Sequence, residues 1–80
     1  MIKLDKIPAI NMKKTGENIK RLRKENNISV RDIQDVFGFM HRSAIYKWED
    51  GTHLPSIDNL VVLSSIFNKS INEILIVDDR

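Results

Sequence analysis

The sequence of 80 residues is long enough for one small domain, and its 13 Lys and Arg against 11 Asp and Glu leave a net charge of only +2. It contains no cysteine, which excludes disulfides and thiolate metal sites. No segment approaches the roughly 20 consecutive apolar residues that a membrane-spanning helix needs, and the first residues lack the apolar stretch of a signal peptide. These properties predict a soluble intracellular protein with no membrane partner.

The charge is unevenly distributed along the chain. Residues 1–51 contain 11 of the 13 basic and 7 of the 11 acidic side chains, whereas residues 52–80 are net acidic. A polyanion would therefore dock on the first part. A set of Lys and Arg that only solvates helix surfaces fits the same distribution, so charge alone leaves both interpretations open.

The chain starts with an arm, residues 1–14, that shows no helical period and is interrupted by Pro8. This arm is predicted to be extended or disordered. The first helix is predicted over residues 15–26, where apolar side chains recur at helical spacing and Thr15 can serve as the cap.

A second helix is predicted over residues 29–37, opened by a capping-box pattern of Ser29 and Asp32. Gly38 ends it, because glycine adopts the left-handed conformation at little cost. The inward stripe of this helix consists of Val30, Ile33 and Phe37.

After a turn at residues 38–40, a third helix is predicted over residues 41–50. Ile45 and Trp48 lie three residues apart and therefore share its inward face. Gly51 ends this helix in the same way as Gly38 ends the second.

A fourth helix follows Pro55, which disfavours helix before it and permits one after it. It starts at Ser56 or Ile57 and is expected to stop at Asn68. Its apolar residues exceed what a single inward face requires.

A short fifth helix over residues 70–75 opens with a capping box of Ser70 and Glu73. Five short helices with brief connections predict an all-α domain over residues 15–75. The remaining tail, residues 76–80, begins with β-branched residues that suit a short strand.

The second and third helices, with a glycine turn between them, match the arrangement in which the second helix enters the major groove of DNA. The outward face of the third helix carries no acidic residue before its far end. Its members are Arg42, Ser43, Tyr46 and Lys47. Arg and Lys can donate to guanine O6 and N7, and Tyr can contact phosphate or a thymine methyl group. An ordinary amphipathic helix with a solvated basic face explains the pattern equally well.

Several motifs recur in the order and spacing of a known family. They are T-G-E-N-I-K-R-L-R-K from Thr15, I-S at Ile28, Gly38, I-Y-K-W-E-D-G from Ile45, L-P at Leu54, and Leu60. Over about residues 15–75 the chain resembles the Cro/repressor-type helix-turn-helix family, also called XRE-family regulators. The resemblance implies a five-helix, lambda-repressor-like DNA-binding domain, a transcriptional repressor that binds pseudo-palindromic double-stranded operators as a homodimer. It also implies a bacterial or phage-encoded protein of the cytoplasm.

The resemblance assigns roles to individual residues. Base reading falls to Arg42, Ser43 and Lys47, with Tyr46 as their neighbour. Phosphate contacts fall to His41 and Ser29, with Arg31 nearby. Lys13, Lys20 and Thr52 are further residues expected to contact phosphate. Arg23 and Glu49 are expected to form a structural ion pair, and the loss of one partner would strand a buried charge.

The chain departs from the common family pattern at three places near the third helix. Val30 stands where a polar residue often contacts phosphate, so Arg31 or a backbone N–H would have to replace that contact. The segment over residues 38–45 is one residue longer than usual. Ile33 and Gln34 replace a frequent Leu-Ala pair. These departures could change the angle of the third helix.

The C-terminal part contains more apolar residues than a five-helix core needs. Either the arm folds back over them or they form a homodimer interface. A strand over residues 74–77 could pair with the arm or with another chain. The expected interface residues are Ile74, Ile76, Val77 and Val62. A rival hypothesis is a protein-interaction or antitoxin-like module that uses the same fold and this apolar region.

The sequence offers little support for catalysis. It contains no glycine-rich phosphate loop, no Cys nucleophile and no zincin-type His pair. His41 and His53 lie twelve residues apart without a Cys nearby, which is not the pattern of a metal site. The sequence therefore predicts a protein that is not an enzyme and needs no cofactor.

Overall fold

The computed structural model describes residues 1–38 and 41–79. Phe39 and Met40 of the predicted turn lie outside the described residues, as does Arg80. In chain order the elements are β1 (Pro8–Ile10), α1 (Met12–Glu25), α2 (Val30–Phe37), α3 (Arg42–Glu49), α4 (Ile57–Phe67), α5 (Ile71–Ile74) and β2 (Val77–Asp79). The predicted five-helix, helix-turn-helix fold class is confirmed, and a small two-stranded sheet is added to it.

The start of α1 differs from the prediction. The helix begins at Met12 because Asn11 caps it, its side-chain oxygen accepting from the backbone N–H of Lys14 at 2.9 Å. Thr15 is fully buried one turn further on, where its hydroxyl oxygen accepts from the backbone N–H of Ile76 at 2.9 Å. Thr15 was therefore the wrong cap, and it instead ties α1 to the C-terminal segment.

The N-terminal arm pairs with the C-terminal tail. β1 and β2 run antiparallel, with Pro8 opposite Asp79 and Ile10 opposite Val77. Proline is tolerated here because it is the first residue of a short edge strand. The arm is thus extended at β1, but its last three residues belong to α1, which corrects the predicted boundary.

Three other helices begin where the sequence predicts. Ser29, Ser56 and Ser70 cap α2, α4 and α5, and each hydroxyl oxygen accepts from the backbone N–H three residues further on. Asp32 and Glu73 complete the capping boxes of α2 and α5. These caps fix the short helices at one end, so their inward faces meet in a defined register.

All five helices contribute to one core. Its buried apolar side chains are Ile19, Leu22, Val30, Ile33, Ile45, Trp48, Leu60, Leu63, Phe67 and Ile74. Phe37 packs edge to face on Trp48, with ring centroids 5.7 Å apart and planes at 69°. In the described part of the chain, no helix combines the length and the apolarity that crossing a bilayer requires.

Candidate nucleic-acid interface

One side of α3 is anchored in the fold. Ile45, Trp48 and Glu49 are buried. Trp48 packs on Phe37 of α2, and the backbone of α3 lies so close to Gly16 of α1 that a Cβ there would stand 2.4 Å from the Trp48 carbonyl oxygen. Because α1 and α2 both hold α3, its opposite side has a fixed direction.

The opposite side of α3 contains the four residues expected to read bases. Arg42, Ser43, Tyr46 and Lys47 are all exposed, and their spacing places them together on the helix surface. This face carries two cations and two hydroxyl groups. The carboxylate of Glu49 is turned inward, and that of Asp50 stands beyond the last turn. The exposed face therefore offers hydrogen-bond donors and positive charge.

Arg23 and Glu49, the expected ion pair, join α1 to the end of α3. Arg23 Nε donates to Glu49 Oε2 at 2.7 Å and Nη2 donates to Oε1 at 3.1 Å. The hydrogen bond to Glu49 raises the pKa of Arg23, although burial acts in the opposite direction. Arg23 Nη1 also donates to the carbonyl oxygen of Ile28 at 3.2 Å, so one guanidinium connects α1, α3 and the loop before α2.

An open groove, here called the α3–α4 groove, runs along one side of α3. It is lined by His41, Ser43, Ala44, Lys47, Trp48, His53, Leu54, Ser56 and Asn59. The capped start of α4 lies at this groove, and a helix start offers backbone N–H groups and a partial positive charge. Together with the side chains of His41 and His53, this helix start suits an anion such as a phosphate group.

A second groove, here called the α1–α3 groove, follows a different set of α3 residues. It is lined by Lys20, Arg23, Lys24, Tyr46, Glu49 and Asp50. Lys20 and Lys24 are exposed at its rim, and Arg23 is partly neutralised by Glu49. The exposed face of α3 is thus accompanied by two grooves that both carry basic side chains.

The residues expected to contact phosphate differ in their surroundings. His41 and Lys20 line the two grooves, whereas Lys13 and Arg31 are exposed elsewhere. Ser29 shares its capping box with the carboxylate of Asp32, whose pKa is lowered by hydrogen bonds from the Ser29 backbone N–H and hydroxyl.

Thr52 donates its hydroxyl and its backbone N–H to the Asp50 carboxylate. Both Ser29 and Thr52 therefore lie beside a negative charge, which makes them weaker candidates for contact with a phosphate group.

Sequence reasoning gave no DNA-contact role to four groove residues outside the core whose side chains can donate a hydrogen bond, namely His53, Ser56, Asn59 and Lys24. Ser56 could have been found, because it was recognised as the start of a helix and helix starts attract phosphate.

The structure also corrects one member of the proposed dimer interface. Ile74 is fully buried in the core, so its side chain cannot meet another chain, whereas Val77 is 53% exposed.

The geometry of α2 and α3, with an anchored inner face and an exposed basic outer face, defines a helix-turn-helix domain, a DNA-binding arrangement. The chain belongs to the helix-turn-helix family, whose profile matches residues 19–74. This is a family of DNA-binding regulators rather than of enzymes.

One relative, from Methanothermobacter thermautotrophicus, is provisionally named an HTH-type transcriptional regulatory protein. The two are 32% identical in an alignment 68 positions long, which covers 81% of this chain and 22% of the relative. The chain therefore spans about a fifth of that relative's length.

Two solved structures share the fold. The DNA-binding domain of BldD superposes with a TM-score of 0.68 at 17% identity, covering 81% of this chain and 93% of that domain. The BldD DNA-binding domain from S. venezulae gives a TM-score of 0.69 at 17% identity, covering 81% and 96%. At this level of identity the likeness concerns the fold.

Proposed function

We propose that this chain binds double-stranded DNA sequence-specifically as a transcriptional regulator and inserts α3 into the major groove. The observation that carries the proposal is the division of α3 into a buried face and an exposed face with no carboxylate. A helix whose inner face is fixed by a core and a buried ion pair presents its outer side chains in one orientation, as base recognition requires.

Each exposed residue of α3 has a chemistry that base edges or phosphates accept. Arg42 and Lys47 can donate to guanine O6 and N7, and Ser43 can donate or accept. Tyr46 lies at the α1–α3 groove, where its hydroxyl can donate to a phosphate. Phosphates beside the major groove would meet the α3–α4 groove and the α1–α3 groove, and these contacts would orient the domain without reading sequence.

The regulator is proposed to act as a repressor that occupies a pseudo-palindromic operator in the cytoplasm as a homodimer. The exposed Val77 and the half-buried Ile76 and Val62 support a contact between two copies at the C-terminal end. Two-fold symmetry would then place the half-sites about 34 Å apart, which is one turn of DNA.

A binding selection from random DNA duplexes tests the proposal. The purified chain should enrich one sequence with two inverted half-sites, and affinity for that duplex should fall steeply as salt rises. A variant with Arg42→Ala and Lys47→Ala should fold but lose the enrichment. No enrichment by the unmodified chain, together with a flat salt response, would refute DNA binding and favour the protein-interaction alternative.

A further inference from the structure

A side chain of α2 reaches across to the first turn of α3. Arg42 Nε donates to Gln34 Oε1 at 3.3 Å. Gln34 is half-buried and Arg42 is exposed. Because a guanidinium only donates, the amide oxygen of Gln34 must face it. The chemistry of this contact therefore fixes which way the Gln34 amide is turned.

Occupation of Nε limits how Arg42 can meet a base. A guanidinium can present either its two Nη atoms or the pair formed by Nε and one Nη atom. Within residues 1–38 and 41–79, no protein group accepts from the two Nη atoms of Arg42, whereas Nε is already engaged. The two Nη atoms form a pair of donors that matches the O6 and N7 acceptors of guanine.

The position of Arg42 is unfavourable for the helix itself. A cation in the first turn opposes the helix dipole, and no acidic residue occupies the first turn of α3. The carbonyl dipole of Gln34 offsets part of this effect without adding a negative charge near DNA. Arg42 thus gains a neutral acceptor that restricts a flexible side chain.

We propose that Gln34 is a positioning residue that holds Arg42 with its two Nη atoms directed toward a guanine in the major groove. This inference rests on the proposed function, because it assumes that α3 reads DNA. It assigns a specificity role to an α2 residue that stands outside the face expected to read bases.

Gln34→Met tests the proposal, because methionine keeps a similar length and lacks the acceptor. We expect affinity for the selected duplex to fall about 2- to 10-fold, the worth of one hydrogen bond, with the loss confined to the guanine opposite Arg42. Arg42→Ala should lower that affinity about 5- to 150-fold. In the Arg42→Ala background, Gln34→Met should have no further effect, so a double-mutant cycle should show coupling. Val36→Met, at an exposed position of the same helix, is the matched control and should leave the base preference unchanged.

A second measurement needs no DNA. Solvent exchange of the Arg42 Nε–H, followed by NMR, should accelerate in Gln34→Met and in Gln34→Ala, while both variants remain folded. Unchanged exchange, or additive effects in the cycle, would overturn the positioning role even if the unmodified chain selects an operator. If the unmodified chain selects no sequence, the proposed function fails and this inference fails with it.

Discussion

Arg23 on α1 and Glu49 at the end of α3 form a two-point ion pair that is largely removed from water. The exposed fractions of the two side chains are 12% and 5%. Such a pair contributes little net energy compared with an apolar pair, but removing one partner leaves the other charge buried and unpaired. The pair therefore makes the placement of α3 depend on α1.

Glu49→Ala should lower the free energy of unfolding by about 3–5 kcal/mol, because it strands the Arg23 guanidinium. Urea unfolding followed by circular dichroism measures the change. Glu25→Ala is the matched control, since it breaks the exposed Arg21–Glu25 pair and should cost no more than about 1 kcal/mol. A Glu49→Ala variant that unfolds like the parent but prefers another DNA sequence would contradict a structural role.

Gly16→Ala should destabilise the domain, although alanine is ordinarily the better helix former by about 1 kcal/mol. The added Cβ would lie 2.4 Å from the Trp48 carbonyl oxygen and 2.6 Å from that of Glu49, and both are backbone atoms. We expect a loss of about 1–3 kcal/mol in unfolding free energy, typical of overpacking. Ser65→Ala on the exposed side of α4 serves as the control and should change stability little. An unchanged or higher melting temperature for Gly16→Ala would show that α1 and α3 are not packed this closely.

Local chemistry made the helix starts predictable. Serine followed three residues later by an acidic residue predicts a capping box, and the structure has both boxes. The inward positions of Ile45 and Trp48 follow from helical spacing alone. Thr15 misled the prediction because Asn11, four residues earlier, is also a residue type that caps helices. Asn11 took this role because β1 and Ile76 bring the chain into position there.

Features that depend on distant segments were not predictable. The sequence left open whether the C-terminal strand pairs with the arm or with another chain. The structure pairs it with the arm, and no local pattern determines the register of β1 on β2. Ile74 looked like surplus apolar surface but fills the core, because α5 turns this residue inward. The contact between Gln34 and Arg42 also requires the angle between α2 and α3, which the unusual Ile33-Gln34 pair left open.

Asn18→Leu should destabilise the C-terminal end of the fold. The Asn18 side-chain nitrogen donates to the carbonyl oxygens of Glu73 and Ile74, each at 2.9 Å. Leucine keeps the branched shape and removes the donor, which leaves a buried carbonyl group at Ile74 and a partly buried one at Glu73 unpaired, at a cost of about 1–3 kcal/mol. Thermal unfolding measures the loss. Asn72→Leu at an exposed position of α5 is the control, and equal melting temperatures of the two variants would contradict this role of Asn18.

The two capping boxes should make the stability of the fold depend on pH in the acidic range. Hydrogen bonds from Ser29 lower the pKa of Asp32, and those from Ser70 lower the pKa of Glu73. Because these pKa values are lower in the folded than in the unfolded state, the stabilisation is present above the unfolded-state values of about 4 and is lost as pH falls through the folded-state values. The urea midpoint should decline over this range.

As pH falls, the urea midpoint of Asp32→Asn should decline less steeply than that of the parent. Asp32→Glu keeps an ionisable group at the capping position, so its midpoint should retain most of the parent's slope. Identical slopes for the parent and Asp32→Asn would show that this carboxylate contributes no acid-linked stability.

Lys47→Ala and Lys20→Ala should separate base reading from phosphate contact. Lys47 belongs to the exposed face of α3, so its loss should cost about 1–3 kcal/mol at one base position and relax the preference there. Lys20 lies at the α1–α3 groove, so its loss should weaken binding to all duplexes alike and reduce the salt slope by about 1.

Fluorescence anisotropy against the selected duplex and against single-base variants at several salt concentrations distinguishes the two effects. Lys3→Ala, in the exposed arm before β1, removes the same charge away from both grooves and should change neither quantity appreciably. If Lys47→Ala and Arg42→Ala both left operator affinity unchanged, the exposed face of α3 would not be the recognition surface. A uniform loss in Lys47→Ala across all base variants would instead place Lys47 on a phosphate, because only a base contact makes the loss depend on sequence.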